Sequence, residues 1–153
     1  MQRIALFPGS FDPFTVGHES IARRALPLFD RVIIGIGTNE NKTDFFPLEK
    51  RIQWIKNLFA DEPKVEVKTY KRLTIDFCRE TGASYLLRGL RTSADFEFER
   101  AVGQVNKLLD PEIETVFLLT KPEHSFISSS IVRDVYKNGG DISSFIPKGM
   151  KLR

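Results

Sequence analysis

The sequence predicts an α/β fold, a doubly wound sheet of five parallel strands with helices on both faces. Three observations predict it. Short apolar runs alternate with longer amphipathic stretches along the whole chain. The runs are strand-sized and mostly apolar, as strands buried between two helical layers should be. Strand, helix, strand in repetition calls for right-handed crossovers and a parallel sheet.

The first strand is Arg3–Phe7, closed by Pro8-Gly9. Thr15 is a suitable N-cap for a helix over Gly17–Phe29 and puts His18 in its first turn. A second strand, Val32–Gly37, precedes a helix over Leu48–Phe59, where Ile52, Ile55 and Phe59 fall at i, i+3 and i+7 on one face. Val65–Lys68 is the third strand and Thr74–Thr81 the next helix, with Cys78 a small packing residue. Tyr85–Leu87 leads to a helix over Ser93–Leu109, whose early acids Asp95, Glu97 and Glu99 complement the positive end of the helix dipole. Thr115–Leu119 is the fifth strand. The last helix, Ser129–Asn138, stops at Gly139-Gly140.

The 153 residues suit one domain over 1–153, long enough to bury roughly 70% of the unfolded chain's surface. One cysteine excludes an internal disulfide, and two histidines with one cysteine exclude a Cys/His zinc cage. With 23 Lys and Arg against 20 Asp and Glu, the net charge of +3 fits the handling of anions and by itself says little about nucleic acid, which is not an expected partner. No apolar run is long enough to span a bilayer, and Met1–Phe14 lacks the apolar core of a signal peptide. A cytoplasmic protein with no membrane partner is the expectation. Gly35-Ile36-Gly37 starts like a dinucleotide fingerprint but lacks the third glycine, and no P-loop motif exists.

In a doubly wound sheet, ligands bind beyond the carboxyl ends of the strands, where the winding reverses. Four clusters follow strands. Gly9–His18 offers a helix N-terminus suited to phosphate, with Gly17 permitting close approach. Lys42 lies in the loop after the second strand beside Asn39 and Asn41. Arg88-Gly89-Leu90-Arg91, read as a loop after the fourth strand, presents two arginines fit for bidentate phosphate contacts. Ser128-Ser129-Ser130, with Arg133 one turn later, reads as a polyphosphate cradle. Each cluster alone has a plainer reading, as helix capping, a surface turn or solvated charge.

Together, the motifs resemble a known family. Gly9-Ser10-Phe11-Asp12-Pro13 followed by Thr15-x-Gly17-His18 resembles the nucleotidyltransferase signature. Arg88–Arg91, Ala94–Glu99 and Ser125–Ser130 narrow the resemblance to the bacterial phosphopantetheine adenylyltransferases, over essentially the whole chain. The resemblance implies a Rossmann-like nucleotidyltransferase fold. The implied reaction joins ATP and 4′-phosphopantetheine into dephospho-coenzyme A and pyrophosphate, by direct in-line attack of the acceptor phosphate on the α-phosphorus. A phosphate dianion needs no deprotonation, so alignment and charge stabilisation carry such a reaction.

By that resemblance, His18 stabilises the transition state, Ser10 orients the attacking phosphate, and Lys42 and Arg88 bind the acceptor's phosphate end. Thr74 stands where the family binds the pantetheine arm, through main-chain atoms. ATP contacts are expected from Ser10, Phe11, His18, Gly89, Leu90, Arg91, Glu99, His124, Ser125, Phe126, Ile127, Ser128, Ser129 and Ser130. Mg²⁺ is implied on the ATP phosphates without a dedicated protein cage, and a homohexamer is implied as the assembly. Ser10 replaces the family's commoner threonine, Phe98 a tyrosine and His124 a frequent tryptophan; Arg133 is often a lysine. The rivals are a nicotinamide mononucleotide adenylyltransferase or a cytidylyltransferase, and a non-catalytic nucleotide-binding module on the same fold.

Overall fold

The computed structural model describes residues 1–152. Five strands, β1 Ile4–Gly9, β2 Arg31–Gly37, β3 Val65–Tyr70, β4 Tyr85–Leu90 and β5 Glu114–Leu119, form one parallel sheet in the order β3-β2-β1-β4-β5. Five helices alternate with them and follow them: α1 Val16–Ala25, α2 Leu48–Leu58, α3 Thr74–Thr81, α4 Ser93–Leu109 and α5 Ser129–Lys137. A short 3-10 turn, Pro122–His124, precedes α5. All four strand pairings are parallel. The doubly wound five-stranded fold is the one expected, and no helix among the described residues is long and apolar enough to cross a membrane.

Alternation along the strands sorts the core into two layers. Ala5, Phe7, Ile34, Ile36 and Leu87 face α1 and α2, where Ile21, Ala22, Ala25, Ile55 and Phe59 cover them. Leu6, Ile33 and Leu86 point to the other side, against Ile75, Phe77 and Cys78 of α3. Each large aliphatic side chain so buried contributes about 1.5–3 kcal/mol. That two-sided burial is why these strands read as unbroken apolar runs. A third, smaller cluster of Ile127, Val132, Ile142 and Ile146 fixes α5.

β1 and β3 each run two residues further than expected, to Gly9 and Tyr70, and two other boundaries move by three residues or more. The first helix ends at Ala25 with Leu26 as its C-cap, and not at Phe29. Pro27 lacks an N–H and its ring collides with a helical carbonyl, so the helix stops before it. The fourth strand does not end at Leu87 but runs to Leu90. Arg88, Gly89 and Leu90 therefore belong to the strand, and only Arg91 of that motif lies beyond it. The cause is the partner: β5 continues alongside, pairing Arg88 with Phe117 and Leu90 with Leu119.

Candidate active site

The winding reverses between β1 and β4, and there the sheet splits. β1 pairs with β2 as far as Gly9 opposite Ile36. β4 pairs with β5 as far as Leu90. Between β1 and β4, however, only Ala5 with Tyr85 and Leu6 with Leu86 are in register, and the strands part beyond them. The guanidinium of Arg88 spans the gap. Nη1 donates to the carbonyl of Pro8 at 2.9 Å, while Nε and Nη2 donate to the Glu99 carboxylate at 3.0 and 2.5 Å. Glu99 is itself buried. A buried charge needs such partners, and the fork shape of arginine supplies them in a fixed plane.

His18 is placed by a reciprocal cap. Thr15 Oγ1 accepts the backbone N–H of His18 at 3.3 Å, and the backbone N–H of Thr15 donates to His18 Nδ1 at 3.0 Å. This is a capping box with histidine in the position usually held by Glu or Gln. Since Nδ1 accepts, the ring proton of the neutral imidazole sits on Nε2. The rings of Phe7, Phe11 and Phe14 enclose the imidazole, with centroids 6.3, 5.0 and 5.4 Å away. Burial, and then the charges of Arg88 and Arg91, push its pKa down to about 3. His18 is thus a neutral Nε2–H donor at ordinary pH. Phe11, behind it, has a left-handed backbone with φ of 48°, a conformation uncommon outside glycine.

Two adjoining cavities meet at this point. The first, about 340 Å³, is lined by Ser10, Phe11, His18, Arg88, Gly89 and Arg91. Glu99, His124, Ile127, Ser128 and Ser129 line it as well. The second, about 430 Å³, shares Ser10, Arg88 and Glu99 and extends past Thr74. Lys42, Leu90, Ser125, Phe126 and Ser130 line neither. Lys42 is exposed in the loop after β2, and Phe126 is exposed as well. Leu90 is buried. The Ser125 hydroxyl donates to Pro122 O, closing the 3-10 turn.

The serine cluster departs from a simple row of free hydroxyls. Ser128 is the N-cap of α5, its Oγ accepting the N–H of Ile131. Ser129 Oγ donates to Pro13 O at 2.8 Å, and Ser130 Oγ accepts from Arg133. Arg133 also donates to Asp12 O at 2.8 Å. The cluster therefore ties α5 to the first loop, and what it offers an anion is chiefly the first-turn backbone N–H groups of the helix. Arg91 is held in place in turn by Asp95, which accepts from both its backbone N–H and its Nε at 3.1 Å. The early acids of α4 thus orient arginines as well as complementing the dipole.

Tyr70, Leu73, Val102 and Asn106, which belong to none of the motifs, also line the second cavity. A signal was present on α4. Phe98, Val102 and Asn106 recur every four residues, so they share one helix face. Phe98 is 69% exposed, the mark of an apolar side chain without a covering layer. Thr74 Oγ1 and the Tyr70 hydroxyl sit 3.0 Å apart at the mouth, and burial raises the Tyr70 pKa. Among the described residues no group of three or more His, Cys, Asp or Glu is arranged to hold a metal.

Comparison with known proteins gives consistent relatives. The family described as Cytidylyltransferase-like matches residues 6–135. The chain is 54% identical to the phosphopantetheine adenylyltransferase of Flavobacterium psychrophilum over 151 residues, covering 99% of each. It is 52% identical to that of Cytophaga hutchinsonii, covering 96% of this chain and 98% of the relative. Among solved structures, it resembles a bifunctional NMN adenylyltransferase/ADP ribose pyrophosphatase from Francisella tularensis, solved with AMP and a manganese ion. The TM-score is 0.71 at 18% identity, over 95% of this chain and 44% of that longer one, a likeness of fold.

Proposed function

The chain belongs to the phosphopantetheine adenylyltransferases, within the cytidylyltransferase-like family, and from that premise we propose how its two cavities divide the work. The reaction is adenylyl transfer from ATP to 4′-phosphopantetheine, a step of coenzyme A synthesis. The first cavity takes ATP and the second takes the pantetheine arm, so that the two phosphate ends meet over Ser10 and Arg88. The observation that carries this division is the set of residues the two cavities share. Ser10, Arg88 and Glu99 border both cavities, beside the split in the sheet.

In this reading the acceptor phosphate attacks the α-phosphorus in line and pyrophosphate departs. The Nε2–H of His18 donates to an α-phosphate oxygen as charge gathers there, a use that its fixed tautomer supports. Arg88 steadies the acceptor phosphate while its other N–H groups keep the strand ends in place. Arg91 and the N-terminus of α5 hold the β- and γ-phosphates, and the walls from Gly89, His124, Ile127, Ser128 and Ser129 enclose the nucleotide. Thr74 meets the pantetheine arm through its main chain. Lys42 reaches the acceptor phosphate from its loop, and the exposed position of a long flexible side chain is compatible with that.

Mg²⁺ accompanies ATP on its phosphates, as the family resemblance implies and as a hard cation that keeps several waters commonly does. We read the chain as one nucleotidyltransferase domain over 1–153, cytoplasmic and hexameric, as the family resemblance implies. Exposed apolar residues along α4, among them Val105, Leu108 and Leu109, support an assembly of copies. A screen of acceptor phosphates for pyrophosphate release tests the functional reading.

A further inference from the structure

Arg51 is the largest of the fully buried side chains, with 1% of its surface exposed, and it lines neither cavity. It lies in the first turn of α2, pointing away from solvent towards two loops. Nε donates to the carbonyl of Phe46 at 3.0 Å and Nη1 to the carbonyl of Ser10 at 2.6 Å. Nη2 lies 2.9 Å from a carboxylate oxygen of Asp44, an ion pair without hydrogen-bond alignment. Asp12, also buried, completes the arrangement from the other side. Its two oxygens accept the backbone N–H groups of Phe45 and Phe46 at 2.8 and 2.9 Å, and Oδ1 stands 3.9 Å from Arg51 Nε.

The result is a clasp between two loops that meet nowhere in sequence. One carries Ser10; the other, between β2 and α2, carries Lys42. The Lys42 loop is anchored at its start, where Thr38 N donates to Tyr70 O at 2.9 Å. It is anchored at its end by the clasp on residues 44–46, and Phe46 is wedged between Trp54 and Tyr136, with ring centroids 5.4 and 5.3 Å away. Lys42 lies two residues before the clasped segment. A buried ion pair adds little net stability, because desolvation offsets much of the attraction. Fixed geometry is what it supplies here.

We propose that Arg51 is a positioning residue that locks the Lys42 loop to the Ser10 loop, so that Lys42 and Ser10 meet the acceptor phosphate as one unit. The proposal rests on the reading above that these two residues bind that phosphate. A lysine at 51 keeps the charge but is a single compact donor head, and it cannot bridge Ser10 O, Phe46 O and Asp44 together.

The test is a double-mutant cycle on the full chain, reading pyrophosphate release with 4′-phosphopantetheine and ATP. Arg51→Lys raises the KM for 4′-phosphopantetheine about tenfold and that for ATP less than about twofold, and in a Lys42→Ala background it adds less than about twofold, as coupled residues do. Quenching of Trp54, the one tryptophan, by acrylamide rises in Arg51→Lys because its Phe46 neighbour is released. Asp44→Asn, at a half-exposed site, shows the same coupling in milder form and serves if Arg51→Lys does not fold. Wild-type kinetics in both variants, or losses that multiply with Lys42→Ala, overturn the proposal alone. Wild-type kinetics in Lys42→Ala remove Lys42 from the site, and overturn the parent reading and this proposal together.

Discussion

The backbone N–H of Thr15 donates to Nδ1 of His18 at 3.0 Å, and that bond leaves the imidazole proton on Nε2. A cap that starts a helix therefore also sets the tautomer of the group proposed to meet the α-phosphate. With the pKa pushed down from 6.5 to about 3, His18 in the free protein is neutral near neutral pH. Nitrogen-15 spectra should show a pyridine-like Nδ1 and a protonated Nε2 between about pH 5 and 8. A ring that titrates near 6.5 contradicts this. Linkage gives a second readout. The unfolded chain binds this proton first on acidification, so the stability due to the neutral ring is fully present above about pH 6.5 and is lost as pH falls towards 3. His18→Gln should flatten that part of the acid-stability curve.

His18→Ala should lower kcat by about 100- to 1,000-fold, the usual effect of removing one donor aimed at developing charge. ATP affinity, measured by calorimetry without acceptor, should change little. Equal losses in affinity and turnover would make His18 a ground-state phosphate ligand instead.

Thr15 is 2% exposed, and its hydroxyl caps α1. Thr15→Val should cost about 1 kcal/mol of stability, typical for a lost N-cap, and should lower kcat several-fold by loosening the imidazole. Thr15→Ser keeps the oxygen and should retain both. Urea unfolding beside steady-state kinetics separates the two effects. A valine variant with unchanged turnover would show that the cap matters to the helix alone.

Glu99 holds Arg88 through charge-assisted bonds. Glu99→Gln should cost about 1–3 kcal/mol, the usual range when a charged partner is weakened at a buried site. It should also lower kcat/KM for 4′-phosphopantetheine by at least about tenfold, because Arg88 then drifts from the strand gap. Arg88→Lys should do the same, since one ammonium cannot reach both Pro8 O and Glu99. Unchanged kinetics in Glu99→Gln would detach the ion pair from acceptor binding.

The parts of this site that were legible in the sequence are those encoded locally. Thr15 as N-cap, His18 in the first helical turn and the apolar strands follow from spacing and residue type alone. Arg88 to Leu90 were misplaced into a loop because strand length depends on the partner, and β5 lies more than twenty residues on. Arg51 went unseen because an arginine among charged neighbours reads as solvated. Its position four residues before buried Ile55 puts it on the inner face of α2, which was the available clue. The second cavity was hidden because Tyr70, Leu73 and Val102 come from different elements and carry no motif.

The central claim is that the cleft between β1 and β4 joins ATP to 4′-phosphopantetheine. Pyrophosphate release, measured with a panel of phosphorylated acceptors at fixed ATP and Mg²⁺, tests it most directly. Turnover should require 4′-phosphopantetheine and give dephospho-coenzyme A, with nicotinamide mononucleotide inert. Turnover with nicotinamide mononucleotide and none with 4′-phosphopantetheine would contradict the account.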